Sequence, residues 1–292
     1  MKTLKSSKRL ATIAIIIFLC FFASVFGVGE VLSHHARRDI GAKPTDLPYE
    51  SVSIAGAEKQ VISGWQLRGK PGFGVVLLLH GVRADRREMM ERSKFLNRLG
   101  YSVLLIDLPA HGQSTGEQIT YGLKEAEGVK STLNYIKNEF PSEKIGVIGA
   151  SLGAASFVLS KQGSMVRAVV LESMFPSIQD AVKDRLNLYL GSAGELLAPL
   201  LLWQLPLRIN ISPDQLRPIA EMPALHSPVL IVAGDLDKHT TLPETKNIFA
   251  AANNPKELLI IEGAAHIDLY QFSPKTYEDK VSNFLEKYLK NH

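Results

Sequence analysis

Cysteine is almost absent from this 292-residue chain: Cys20 is the only one. No disulfide can form within it, and neither a cysteine nucleophile nor a cysteine-built metal site is available. Acidic residues are missing before Glu30, whereas Lys2, Lys5, Lys8 and Arg9 crowd the start. With those four set aside from the chain's 33 basic residues, the remainder equals its 29 acidic ones. A body with balanced charge lacks the basic surface that nucleic acid demands, so no nucleic-acid partner is expected. The sequence also lacks H-E-x-x-H, C-x-x-C, a P-loop and the Gly-rich dinucleotide fingerprint, and neither a metal nor an organic cofactor is expected. Internal repeats and low-complexity tracts are missing too.

What the chain does have begins with "LATIAIIIFLCFFASVFGV", residues 10–28, a run of 19 without a charge. At 1.5 Å per residue it spans a hydrocarbon core about 30 Å thick. It reads as a single membrane anchor with residues 1–9 as a cytoplasmic basic flank, which sends everything after Glu30 to the non-cytoplasmic side. The alternative is a secreted protein whose signal peptide is removed. The Val25-Phe26-Gly27 stretch is a poor small-x-small cleavage site, and the run is longer than the usual apolar region of about 7 to 15 residues. Cys20 follows Leu19 rather than a small residue, which disfavours a lipoprotein signal.

Residues 29–48 read as a polar tether, and 49–292 as one catalytic-sized domain with 46% hydrophobic residues in the chain overall. "ESVSI" and "QVISGWQLR" read as a strand hairpin around 55–59. "GVVLLLH", "SVLLIDL", "KIGVIG", "VRAVVLES", "PVLIVAG" and "ELLIIEG" are short continuous apolar runs, the pattern of strands buried on both faces of a parallel sheet. Helical spacing fills 86–99, 121–139, 152–162, 242–252 and the C-terminus, where Val281, Phe284, Leu285, Tyr288 and Leu289 form one stripe. Such alternation predicts a doubly wound α/β domain. Residues 176–227 break the rhythm without a strand and predict a small helical cap above the sheet.

Gly149-Ala150-Ser151-Leu152-Gly153 matches G-x-S-x-G between a predicted strand and a predicted helix, the context that makes the serine a nucleophile rather than a small turn residue. A serine hydroxyl needs a base, and the base an orienting acid. Two later strands end at Asp235 and Asp237 and at His266, on the rim where strand ends of such a sheet converge.

G-A-S-L-G, Leu79-His80-Gly81, "DLPAHGQSTG", "GDLD" and "GAAH" together resemble the α/β-hydrolase superfamily, nearest its serine-aminopeptidase-like and monoacylglycerol-lipase-like branch with membrane-anchored members. The likeness covers about residues 50–290 and implies an eight-stranded, mostly parallel sheet flanked by helices. It implies Ser151 as nucleophile, His266 as base and Asp237 as orienting acid, with Asp235 turning the loop. The resemblance also implies an oxyanion hole from the Val82 and Leu152 N–H groups. His80 and His111 are expected to hold loops, His239 to be an exposed loop histidine, and Glu172 to stand in reserve as an acid. His80 and Asp85 in "HGVRAD" also match H-x-x-x-x-D, a spacing used by acyltransferases, and this match reads as accidental.

The cap segment 186–211 is unusually apolar; Leu200, Leu201 and Trp203 are expected to pack it onto the sheet rim, line an acyl pocket or touch the bilayer. The implied activity is serine hydrolysis of a small-molecule or lipid-derived acyl ester through an acyl-enzyme. The alternatives are a serine aminopeptidase or amidase, and a non-catalytic relative that binds a ligand in the same pocket.

Overall fold

In the computed structural model the chain is described over residues 2–290, with side chains from position 9 onward. The basic side chains expected at Lys2, Lys5 and Lys8 lie outside the described ones.

Eight strands form one sheet: β1 (Glu50–Ala55), β2 (Val61–Leu67), β3 (Val75–Leu79), β4 (Ser102–Ile106), β5 (Ile145–Ala150), β6 (Ala168–Glu172), β7 (Val229–Gly234) and β8 (Lys256–Ile261). Their order is β8-β7-β6-β5-β3-β4-β2-β1. Pairing is antiparallel for β1 with β2 and β2 with β4, and parallel elsewhere. Residues along β3 send alternate side chains to opposite faces. Val75, Leu77 and Leu79 join one core with α3 (Leu123–Glu139) and α4 (Leu152–Leu159), while Val76 and Leu78 join a second with α2 (Met90–Arg98) and the terminal helix Pro274–Leu289. Burial on both faces is why β3 needs no polar residue. The predicted strands and helices therefore appear where the apolar runs and stripes put them, with ends that coincide or shift by up to four residues.

Between β6 and β7 the chain leaves the sheet for α5 (Ile178–Leu190), α6 (Ala193–Leu202) and α7 (Leu205–Ile209), the helical cap expected over 176–227. Ser177 caps α5, accepting the Asp180 N–H at 3.1 Å.

The N-terminal helix α1 runs from Lys2 to Ser33, and its 9–33 portion is long and apolar enough to cross a membrane by length and composition. It is the one such helix among the described residues. The helix does not stop with the uncharged run: positions 29–33, expected to begin the tether, continue it. Nor are positions 34–38 a loose tether. Ile119 N–H donates to Ser33 O at 2.8 Å, and Ala36–Arg37 pairs in parallel with His111–Gly112. Two otherwise unpaired backbone segments satisfy each other, and Ala36 and Ile40 are buried in the process.

Candidate active site

β5 hands over to α4 through a single residue, Ser151, at φ +48° and ψ −105°. That backbone is strained for a residue with a Cβ, and it lifts the side chain out of the sheet. Its neighbours must be small. A Cβ on Gly149 would lie 2.6 Å from the Ala154 nitrogen, and one on Gly153 2.4 Å from the Leu79 carbonyl oxygen. Both clashes are with backbone, so the turn can close only with glycine at these positions. Leu152 is the first residue of α4, where an N–H has no carbonyl one turn back to receive it.

On the C-terminal side of the sheet, the loops after β7 and β8 are clamped together. Asp235 Oδ1 accepts the Gly263 N–H at 2.7 Å, and Leu236 N–H donates to Ala264 O at 2.9 Å. Asp235 thus ties its loop to the next one. Asp237 is buried and divides its carboxylate: Oδ1 accepts the His239 and Thr240 N–H groups at 2.8 and 2.9 Å, and Oδ2 lies 2.8 Å from His266 Nδ1. Burial works against its ionisation, but the bond and charge of His266 and the two loop amides outweigh it and hold the carboxyl below the usual range. An ionised Asp237 can only accept, so Nδ1 of His266 is the donor in this bond and Nε2 is the ring nitrogen left for other partners.

Ser151 and His266 line the same polar cavity of 320 Å³ together with Gly81, Val82, Glu88, Arg92, Arg185 and His239. Of the residues singled out in the sequence, Ser151, Val82 and His266 line this cavity, Asp237 lies behind it bonded to His266, and Leu152 opens on a second, apolar cavity of 230 Å³ that Ser151 and Val82 also line. The serine sits between the two. No hydrogen bond joins Ser151 to His266 among the described residues, a spacing that ligand-free sites commonly show.

The remaining candidates separate clearly. His80 is buried, accepting the Leu108 N–H at Nε2 (3.0 Å) while Nδ1 faces Gly81 O at 2.7 Å, so it is neutral with its proton on Nδ1. Burial and the adjacent His111 push it down to about 4. Asp85, its H-x-x-x-x-D partner in the sequence, is engaged by Arg87 through Nε and Nη2 at 2.8 Å each, so the two do not form a dyad. His111 is likewise buried and bonds Pro109 O at 2.8 Å. Glu172 is held by Arg92 at 3.0 and 2.6 Å and by the Tyr277 hydroxyl, and Arg92 also reaches Asp268 at 2.9 Å. His239 departs from expectation: it is half-buried and stacks on His266 with ring centroids 4.8 Å apart.

Sequence reasoning missed Glu88, Arg92 and Arg185. Glu88 accepts the Gly81 N–H at 2.6 Å and is pushed up by burial, against the pull of that N–H and of Arg92. No local pattern marks these residues, because Arg92 meets carboxylates 80 and 176 positions away. Leu201 and Leu202 of the cap line the apolar cavity, whereas Trp203 is 60% exposed. Among the described residues no group of three or more His, Cys, Asp or Glu could hold a metal ion.

A family model described as "Alpha/beta hydrolase family" matches residues 76–280. An uncharacterized protein of Bacillus subtilis, YqkD, is 24% identical over 285 residues, covering 90% of this chain and 93% of its own. Another of Mycobacterium tuberculosis, MT2364, is 29% identical over 227 residues, 77% and 74% of the two chains. Among solved structures, the Pyrococcus furiosus esterase Pf2001 superposes with a TM-score of 0.71 at 24% identity, over 88% of this chain and 98% of that one. Est1E of Butyrivibrio proteoclasticus, solved with ferulic acid, gives 0.64 at 17% identity over 81% and 99%. These likenesses share the α/β-hydrolase fold, a mostly parallel sheet flanked by helices.

Proposed function

The chain belongs to the alpha/beta hydrolase family, and from that premise we propose that it is a membrane-anchored serine hydrolase that cleaves a carboxylic ester of a small or lipid-derived acyl group. The observation that carries this reading is the shared cavity: a strained serine at a strand-to-helix turn opens on the same space as a histidine already oriented by a buried carboxylate.

In the proposed reaction His266 Nε2 takes the Ser151 proton as Oγ attacks the acyl carbonyl. The Asp237 carboxylate keeps His266 in the required tautomer and stabilises the imidazolium that forms. The Val82 and Leu152 N–H groups receive the developing oxyanion, and the protonated histidine then delivers its proton to the departing alkoxide. Water, activated by the same histidine, releases the acid from the acyl-enzyme. Two cavities with Ser151 between them suit a substrate of two unlike halves. The apolar one accepts the acyl chain; the polar one accepts the alcohol and later the water. In this reading α1 is the anchor and the catalytic domain lies on the non-cytoplasmic side; a mature N-terminus near Val28 or Glu30 would overturn the anchor.

The test is labelling of the detergent-solubilised full chain by a fluorophosphonate, wild type beside Ser151→Ala, followed by p-nitrophenyl esters and aminoacyl p-nitroanilides. Labelling lost in the variant and turnover of esters are expected. A folded wild type that stays unlabelled would favour a ligand-binding relative, and faster cleavage of the anilides would favour an aminopeptidase.

A further inference from the structure

The apolar cavity beside Ser151 is not built from the hydrolase domain alone. Gly29, Leu32 and Ser33, the last turns of α1, form one wall, opposite Leu201, Leu202 and Leu205 of the cap. This contact is held on every side. Arg208 pairs with Glu30 at 2.5 Å, bonds Phe26 O and stacks on the Phe26 ring at 3.8 Å, its own side chain being 4% exposed. Gln204 Nε2 donates to Val25 O at 3.2 Å. Gly29 faces the ends of the Gln204 and Arg208 side chains, and a Cβ there would lie 2.4 Å from Gln204 Oε1, so a larger residue would make those two side chains shift. Below it, Phe22, Val25 and Phe26 of α1 share a small cleft with Leu200 and Trp203. Those three α1 residues lie within the uncharged run 10–28, so the cap stands at the level of the segment that fits a hydrocarbon core. Leu32 is four residues past Val28, about 6 Å further along the helix axis.

We propose, building on the hydrolase reading, that the end of α1 is part of the acyl-binding site and that the substrate is an acyl ester drawn from the bilayer. The chain would pass between α1 and the cap to reach Ser151 without crossing bulk water. The anchor is then a specificity element as well as a tether, with Leu32 setting how long a chain the pocket holds. Each methylene that loses its place in the pocket costs about fourfold in kcat/KM.

The experiment compares full-length wild type, Leu32→Trp, Leu32→Ala and Val31→Trp in the same detergent, reading kcat/KM for p-nitrophenyl acetate and octanoate, with labelling by a short-chain fluorophosphonate as the check on the serine. Val31 is 65% exposed on the same helix and lies outside the cavity. Expected are a fall of about tenfold or more in the octanoate-to-acetate ratio for Leu32→Trp, a ratio at or above wild type for Leu32→Ala, and a ratio within about twofold of wild type for Val31→Trp. An unchanged ratio in Leu32→Trp would overturn the proposal while leaving the hydrolase reading intact. So would equal loss on both esters with labelling retained. A wild type inert to the probe and to both esters removes the hydrolase reading and this inference with it. The source of the chain is tested in vesicles of phosphatidylcholine mixed with monoacylglycerol: release of fatty acid from the vesicles by the full chain supports a bilayer substrate, and cleavage confined to water-soluble esters refutes it.

Discussion

His266 Nδ1 lies 2.8 Å from Asp237 Oδ2, while Asp235, two residues earlier, faces away and holds the Gly263 N–H at 2.7 Å. The two carboxylates of one loop therefore make opposite predictions. Asp237→Asn is expected to lower kcat/KM by roughly a thousandfold or more, because an amide that donates to Nδ1 favours the wrong tautomer. Asp235→Asn should stay within about threefold and show itself instead as a loss of stability on the order of 1 kcal/mol. Ester kinetics beside thermal melts of both variants separate the roles; the reverse pattern would reassign the acid.

Ser151 occupies φ +48°, where a Cβ is costly. Strain of this kind is worth roughly 1–3 kcal/mol. Ser151→Gly should therefore melt above Ser151→Ala by several degrees, although both variants lose the nucleophile. Equal melting temperatures would mean that the turn carries no strain.

Buried Arg92, Glu172 and Tyr277 and half-buried Asp268 form a network, of which Arg92, Glu172 and Asp268 line the polar cavity. Arg92→Ala leaves Glu172 buried without its cation, and breaking such a pair costs about 3–5 kcal/mol. Glu172→Gln removes the charge but keeps the hydrogen-bonding shape, so it should cost less. It should also retain kcat in the folded fraction, since Glu172 does not orient His266. Melting curves and turnover per labelled serine would check this; a Glu172→Gln variant that folds and labels yet does not turn over would restore Glu172 as a working acid.

Asp184 on α5 is pushed up to about 7 by burial and by Glu244, which lies in the helix Leu242–Ala251. Its ordinary value is 3.8, so the folded state holds this proton more tightly than the unfolded one. Stability from this group is present below pH 3.8 and drains away as the pH rises through about 7. Asp184→Asn should abolish that slope. Its melting temperature relative to wild type should rise from pH 4 to pH 8, by an amount on the order of a few degrees. A constant difference across that range would show that the carboxyl titrates normally.

How much was legible in advance differs from residue to residue. The turn at Ser151 could be read directly, because its sterics involve five consecutive positions, and Gly149 and Gly153 are small for reasons confined to that turn and the strand beside it. The strands could be read because burial on both faces leaves an unbroken apolar run. The placement of His266 near an acid followed from strand ends meeting on one rim, but the choice between Asp235 and Asp237 needed the resemblance. The place of His239 was not legible, since nothing near it in sequence announces that its ring stacks on a histidine 27 positions later.

By itself, then, the amino-acid order determined the uncharged N-terminal run, the alternation of strands and helices, the helical cap and the nucleophile turn, all consequences of local sterics and of which side chains avoid water. Only the tertiary structure decided what surrounds the serine. Arg92 meets Glu172 across 80 positions, and Leu32 of α1 lines the same cavity as Leu201 of the cap. Such meetings depend on how finished elements pack, and packing is settled by the shape of whole surfaces rather than by any short pattern along the chain.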